Sequence, residues 1–233
     1  MKKLVFVLAG LIAISTIKAQ SLEEIVKNYS AAMKYDKLAG ITSVKITGKM
    51  SAMGMEMPMV MYLKNPNKIR VTYNFSGQEM VSVFDGEKGY MINPMTGSSN
   101  PVELTGDQLK QVQGNNVYKN QLSDYFKNGQ LTLEGEENVN DKPAFKLKAN
   151  VGSNPMYMFL DKVSYLLVKT SATVNQMGTS MNVDTYMTDY IDTNGVLLPK
   201  KTTAMANGME AGVITFDNIE VNIPMEDSLF KVK

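Results

Sequence analysis

Val44–Lys64 reads VKITGKMSAMGMEMPMVMYLK, with methionine at every second position from Met53 to Met61. Successive side chains on a strand point to opposite faces, so alternation of this kind marks β-structure. An even turn centred on Met53-Gly54 would pair the two halves antiparallel. Met55 would then oppose Ala52, Met57 Met50, Met59 Gly48, Met61 Ile46 and Leu63 Val44. All of these fall on one face. Glu56 and Ser51, Pro58 and Lys49, Val60 and Thr47, and Tyr62 and Lys45 fall on the other. Two strands read independently thus agree on one apolar face and one mixed, wettable face, which predicts a hairpin.

A β-branched residue would suit such a strand better than methionine. Methionine is unbranched and polarizable, and it adapts to partners of changing shape. Three readings compete for the apolar face. It could pack beneath helices as ordinary core. It could bind Cu(I) through thioethers, although no His or Cys is present to complete such a site. Or it could form the wall of a lipid cavity, with Met50, Met55, Met57, Met59, Met61, Ile46 and Leu63 as candidate ligand-binding residues.

Beyond this hairpin the period-two pattern continues. Ile69, Val71, Tyr73 and Phe75 alternate with polar residues, and further strand-like runs lie near 79–85, 88–92, 130–137, 142–149, 155–161, 165–174, 180–191, 197–206 and 209–223. Asp85-Gly86, Asn194-Gly195 and Asn207-Gly208 are turn pairs of the hairpin kind. Two segments break the pattern. Ser21 and Glu24 form a capping-box signature ahead of Leu22, Ile25, Val26, Tyr29 and Met33, which recur at helical spacing. Thr105 with Gln108 suggests a second box, and Tyr118, Leu122, Tyr125 and Phe126 make an apolar stripe ending at Asn128-Gly129. The expected architecture is mainly β with a few helices: a curved antiparallel sheet or incomplete barrel, with the helices over its open mouth.

Composition narrows function. The 233 residues include no Cys and no His, which removes disulfides, thiolate nucleophiles, imidazole bases and ordinary zinc sites. The acidic pairs Glu134/Glu136, Glu136/Glu137 and Asp184/Asp189 could in principle serve acid–base chemistry, but solvated strand and turn carboxylates are commonplace. An enzyme is the least favoured class. Residues 1–19 have a basic start, an apolar stretch from Leu4 to Ile17 and a small residue at Ala19, so they read as a cleaved signal peptide. No Cys follows for lipid attachment. Three of the 24 basic residues lie in that segment, leaving 21 against 23 acidic ones. Nucleic acid is therefore not an expected partner. Residues 20–233 are read as one domain, secreted to the periplasm, soluble and monomeric, with no cofactor or metal.

The segment LKNPNKIRVTYNFSGQEMVSVFDGEKGYMINPMTG, Leu63–Gly97, resembles the LolA-type periplasmic lipoprotein carriers. Lys64 and Pro66, Tyr73, Asp85-Gly86 and Asn93-Pro94 match that family's pattern. DYIDTNGVLLPKK, Asp189–Lys201, is similar to a recurrent segment of its members, and Phe230 in DSLFKVK stands where their closing strand has Phe. With the N-terminal signal and helix, the likeness covers nearly the whole chain. The resemblance implies a half-open β-barrel with an α-helical lid whose cavity holds the acyl chains of a lipoprotein crossing the periplasm. Leu22, Ile25, Val26, Tyr29, Leu122, Tyr125 and Phe126 would belong to the lid. Its implied partners are an acylated lipoprotein or lipid, an inner-membrane release complex and an outer-membrane acceptor. Asn65 departs from the family, which has at that place an Arg that helps hold the lid closed. Arg70 is the basic candidate to substitute for it, although it falls on the polar side of its strand. A lipoprotein-sensing interaction module of the same fold remains a further alternative.

Overall fold

Among the described residues, five turns are built from two residues that both have positive φ: Met53-Gly54, Ser76-Gly77, Asn140-Asp141, Asn194-Gly195 and Asn207-Gly208. That geometry matches the right-handed twist of paired strands and forces tight hairpins. In a computed structural model describing residues 20–151, 154–176 and 179–232, these turns organise a sheet of 13 antiparallel strands. The expected signal peptide lies outside the described residues.

Six strands precede the helical insertion: β1 Ser43–Ala52, β2 Met55–Lys64, β3 Lys68–Phe75, β4 Gln78–Phe84, β5 Gly89–Asn93 and β6 Ser98–Leu104. Seven follow it: β7 Leu131–Val139, β8 Lys142–Ala149, β9 Met156–Asp161, β10 Leu167–Gln176, β11 Thr179–Thr193, β12 Val196–Ala206 and β13 Met209–Val221. Each half is a meander, and β1 joins the halves by pairing with β13. The edges β6 and β7 do not pair with each other, so the curved sheet stays open. β6 was missing from the sequence expectation. Its run SSNPVEL has Pro101 and no clean alternation, which an edge strand tolerates and an inner one does not.

The β1–β2 hairpin has the predicted register at every pair, from Ala52 opposite Met55 to Val44 opposite Leu63. On its other side β1 carries a bulge at Thr47/Gly48. A Cβ at Gly48 would lie 2.2 Å from the carbonyl oxygen of Thr215, so only glycine permits this approach of β13. Asp85-Gly86 does not make a two-residue hairpin. The Asp85 carboxylate instead accepts from the backbone N–H groups of Glu87 and Lys88 within a longer turn.

Three helices cover part of the concave face. α1 Leu22–Ala32 starts at Ser21, whose hydroxyl accepts from the Glu24 N–H, and buries Ile25, Val26 and Tyr29. α2 Gly106–Gly114 follows Thr105, whose side chain makes no capping bond, contrary to the box expected from sequence. α3 Gln121–Lys127 is capped by the Asn120 side chain and buries Leu122. Tyr118 lies in the link between α2 and α3 rather than on a helix. No helix among the described residues is long and apolar enough to cross a membrane.

Two cores result. Ile25, Val26, Tyr29 and Leu122 from the helices pack on Leu131, Phe145, Leu147, Met158 and Leu160 of β7–β9. A second core joins Ile46, Met59, Met61, Leu63, Ile69, Val71 and Phe84 of β1–β4 with Leu38 and Val112. The convex side is covered in part by the C-terminal turn Asp227–Phe230. Arg70 donates to the carbonyl of Leu229 at 3.2 Å, Lys64 and Lys68 hold Asp227 at 2.7 and 2.8 Å, and Phe230 is fully buried.

Candidate ligand-binding cavity

Between the two cores, beneath α1 and α3, lies a hollow of about 330 Å³. Its floor is the concave face of the sheet: Ile46 of β1, Met59 and Met61 of β2, Tyr73 of β3, Met158 of β9, Leu198 of β12, and Ile214 and Phe216 of β13. Its roof includes Tyr29 of α1, Leu122 of α3 and Val117 of the α2–α3 link, and its mouth is bordered by Asn115, Asn116, Lys119 and Gln121. The volume stands at the small end of ligand pockets, about 300–1,000 Å³. The floor and roof are mainly apolar, so an occupant there would be held chiefly by exclusion from water rather than by directed hydrogen bonds. A larger recess, about 680 Å³, lies away from the helices at the β7–β8 and β9–β10 turns. It carries Lys142, Asp161 and Asp189 and has no helical cover.

The methionine ladder enters this hollow only at one end. Exposure falls along it from Met53 (94%) and Met55 (43%) through half-buried Met57 to Met61 (7%) and Met59 (1%). Of the candidate wall residues, Ile46, Met59 and Met61 line the hollow. Leu63 is buried beyond it in the core, and Met50, Met55 and Met57 share its face but lie past the helical cover. Of the candidate lid residues, Tyr29 and Leu122 face the hollow. Ile25 and Val26, with half-buried Leu22, Tyr125 and Phe126, instead belong to the core that fixes the helices to β7–β9. Met50 and Met57 oppose one another directly, whereas Met59 opposes Gly48 and Met61 opposes Ile46. The register therefore forms one directly opposed thioether pair, short of the ring of soft ligands that Cu(I) would favour.

Several cavity residues escaped sequence reading: Tyr35, Tyr73, Leu167, Leu198, Ile214 and Phe216. The alternation of Ile214 and Phe216 was visible. Its partnership with β1, far away in sequence, was not.

The polar groups deepest in the hollow are tyrosine hydroxyls. The Tyr29 and Tyr35 hydroxyls approach at 3.5 Å, and Tyr190 donates to the carbonyl of Leu167 at 2.7 Å. Burial pushes the phenols of Tyr29, Tyr35, Tyr73 and Tyr190 above their usual range. They are neutral donors, not bases. The carboxylates considered for catalysis lie apart from the hollow. Glu136 pairs with Lys162 at 2.6 Å, Glu137 with Lys146 at 2.8 Å and Asp184 with Lys169 at 2.9 Å.

Closure of the roof uses two neutral side-chain contacts and one ion pair. Asn65, in the β2–β3 turn, donates to the carbonyl of Ile41 just before β1, and Arg70 holds the C-terminal turn, so neither reaches α1, α2 or α3. Instead Asn116, beside α2, donates to the carbonyl of Pro66 at 3.1 Å, and Asn120 donates to Ser30 of α1 at 2.8 Å. Lys34, just after α1, pairs with Asp192 of β11.

An open, 13-stranded antiparallel sheet curved around an apolar hollow under a helical cover has counterparts among solved structures. A LolA superfamily protein from Nitrosomonas europaea aligns over 92% of this chain and 99% of its own, with a TM-score of 0.58 and 12% identity. The fold is LolA-like. An outer membrane lipoprotein-sorting protein domain from Vibrio parahaemolyticus (90% and 97% covered, TM-score 0.59, 11% identity) shares this LolA-like architecture. So does a DUF1329 family protein from Desulfovibrio piger (89% and 97% covered, TM-score 0.59, 12% identity). Comparison of the sequence with known protein families and with curated proteins returns no match.

Proposed function

We propose that this protein is a non-enzymatic periplasmic carrier that shields the acyl chains of a lipoprotein or lipid on their way toward the outer membrane. The observation that carries the proposal is the apolar hollow between the two cores, floored by Ile46, Met59, Met61, Ile214 and Phe216 and roofed by Tyr29 and Leu122. Each methylene buried there contributes about 0.8 kcal/mol, so a hydrocarbon chain binds without directional bonds. The fold supports the same reading, since one of its structural counterparts is described as a lipoprotein-sorting domain. Methionine on the floor lets the wall follow a flexible tail. The half-buried methionines beyond the cover continue the apolar face, and there a longer chain, or a second one, extends once the helices shift.

The test is native mass spectrometry of protein purified from the periplasm without detergent. A co-purifying lipid or lipopeptide is expected. Ile214→Trp, which fills the hollow with an apolar ring, should abolish that ligand while the circular dichroism spectrum stays native. Protein that emerges free of ligand and also ignores acylated peptides would remove the proposal.

A further inference from the structure

We infer that the hollow holds its occupant by an acyl carbonyl as well as by its tail, the carbonyl oxygen accepting a hydrogen bond from the hydroxyl of Tyr73. The inference rests on the carrier reading and names the chemical class of the cargo. Tyr73 of β3 stands opposite Met59 and Met80 and lines the hollow. Its hydroxyl has no hydrogen-bond partner among the described residues, yet burial by itself pushes the phenol up. A donor withdrawn from water without a partner destabilises its surroundings, and an occupant that brings an acceptor removes that penalty. The roof repeats the pattern. Tyr29 is 5% exposed, and its hydroxyl has only that of Tyr35, at 3.5 Å, well beyond the usual reach of an O–H···O bond. Tyr190 shows the contrast, since its single proton is already given to the carbonyl of Leu167 at 2.7 Å.

The acceptor that fits these donors is neutral. Among the described residues no Asp or Glu lines the hollow, and its one lining cation, Lys119, borders the mouth. A carboxylate or phosphate drawn in as far as Tyr73 would be a buried charge without a counter-ion, so such a group stays at the mouth. A phenol raised by burial keeps its proton at ordinary pH and offers an O–H to a lone pair. An acyl carbonyl meets both demands. It is uncharged, it accepts strongly, and it is bonded directly to the tail, so it enters with the first methylenes. Glycerolipids and acylated lipoproteins share this group.

Isothermal titration below the micellar range compares dodecanoyl lysophosphatidylcholine with its dodecyl ether analogue, which keeps the tail and the headgroup and lacks the carbonyl. The ester should bind about tenfold more tightly, the value of one well-made hydrogen bond. Tyr73→Phe should bring the ester down to the affinity of the ether and leave ether binding unchanged. It should not lower the thermal midpoint of the free protein, because the hydroxyl gives up no protein contact. Tyr190→Phe should do the reverse, lowering the midpoint and keeping the preference. Laurate, with its carboxylate at the mouth, should ignore Tyr73→Phe; if it weakens as much as the ester, the site is one for carboxylates and the inference fails. A peptide with a dioctanoylglyceryl group on cysteine, set against dioctanoylglycerol, tells lipoprotein from free lipid. The tighter of the two names the source, and its affinity must fall in Tyr73→Phe for the site to stand. Equal affinity of ester and ether, or a preference that survives Tyr73→Phe, overturns the carbonyl site and leaves the carrier standing. Failure of every amphiphile to bind removes the carrier reading, and the carbonyl site with it.

Discussion

Met59 and Met55 sit four residues apart on the same strand and the same face, yet one is sealed and the other is open. Their substitution should therefore differ sharply. Met59→Ala removes a buried side chain beside a cavity and should cost about 2–5 kcal/mol, read as a lowered midpoint in urea. Met55→Ala should stay within about 0.5 kcal/mol, the range of ordinary surface changes. The same gradient governs oxidation, because the thioether is the only oxidisable sulfur in a chain without cysteine. Under dilute peroxide, peptide mapping should find Met53 and Met209 oxidised first and Met59 last. Uniform oxidation would mean that the inner end of the ladder is not closed. The sequence reveals which face each methionine occupies, since alternation is local. It cannot reveal where along the strand the cover stops, because that depends on helices from distant parts of the chain.

Among the elements, the β1–β2 hairpin was legible in full: its strands are adjacent and its register is dictated by one turn. The β1–β13 pairing was not, although it brings Ile46, Ile214 and Phe216 together on the cavity floor. Gly48 is where that pairing is most constrained. Gly48→Ala places a methyl group against the backbone of β13, where nothing flexible can yield. It should destabilise the protein by about 1–3 kcal/mol and raise amide exchange across β1 and β13 before the β7–β9 region. The helical cover shows the converse. A strong helix pattern located α1 and α3, whereas Asn116, Asn120 and the Lys34–Asp192 pair, which help fasten them, have no distinctive spacing. Asn116→Ala deletes two neutral hydrogen bonds, its donation to Pro66 and its acceptance from the Tyr118 N–H, each worth about 1 kcal/mol. Faster exchange of the amides at 115–120 and faster release of a bound fluorescent fatty acid are the expected outcomes. Unchanged exchange there would show that Asn116 does not hold the cover.

For the whole molecule, the decisive property is that two cores meet across a partly empty seam instead of merging into one. Tyr29, Tyr35 and Tyr190 stand along that seam, and burial holds each phenol above its ordinary value near 10. A raised phenol favours the neutral form in the folded protein, so its contribution is complete below pH ~10 and is lost as pH rises toward the folded value. At the acidic end, Lys64 and Lys68 lower Asp227 to about 2. That contribution is complete above pH ~4 and disappears as pH falls through about 2. The two limits act on different parts. Acid should first release the C-terminal turn from the convex face, seen as exchange at residues 226–231 while the seam stays protected. Alkali should act on the seam itself: absorbance of tyrosinate from Tyr29, Tyr35 and Tyr190 should appear only together with loss of the near-ultraviolet dichroism. A bound acyl chain excludes water from these phenols further and should move the alkaline transition to higher pH. If the three tyrosines ionise reversibly near 10 with the dichroism intact, the seam is already open to water, and a hollow so hydrated could not retain a hydrocarbon tail.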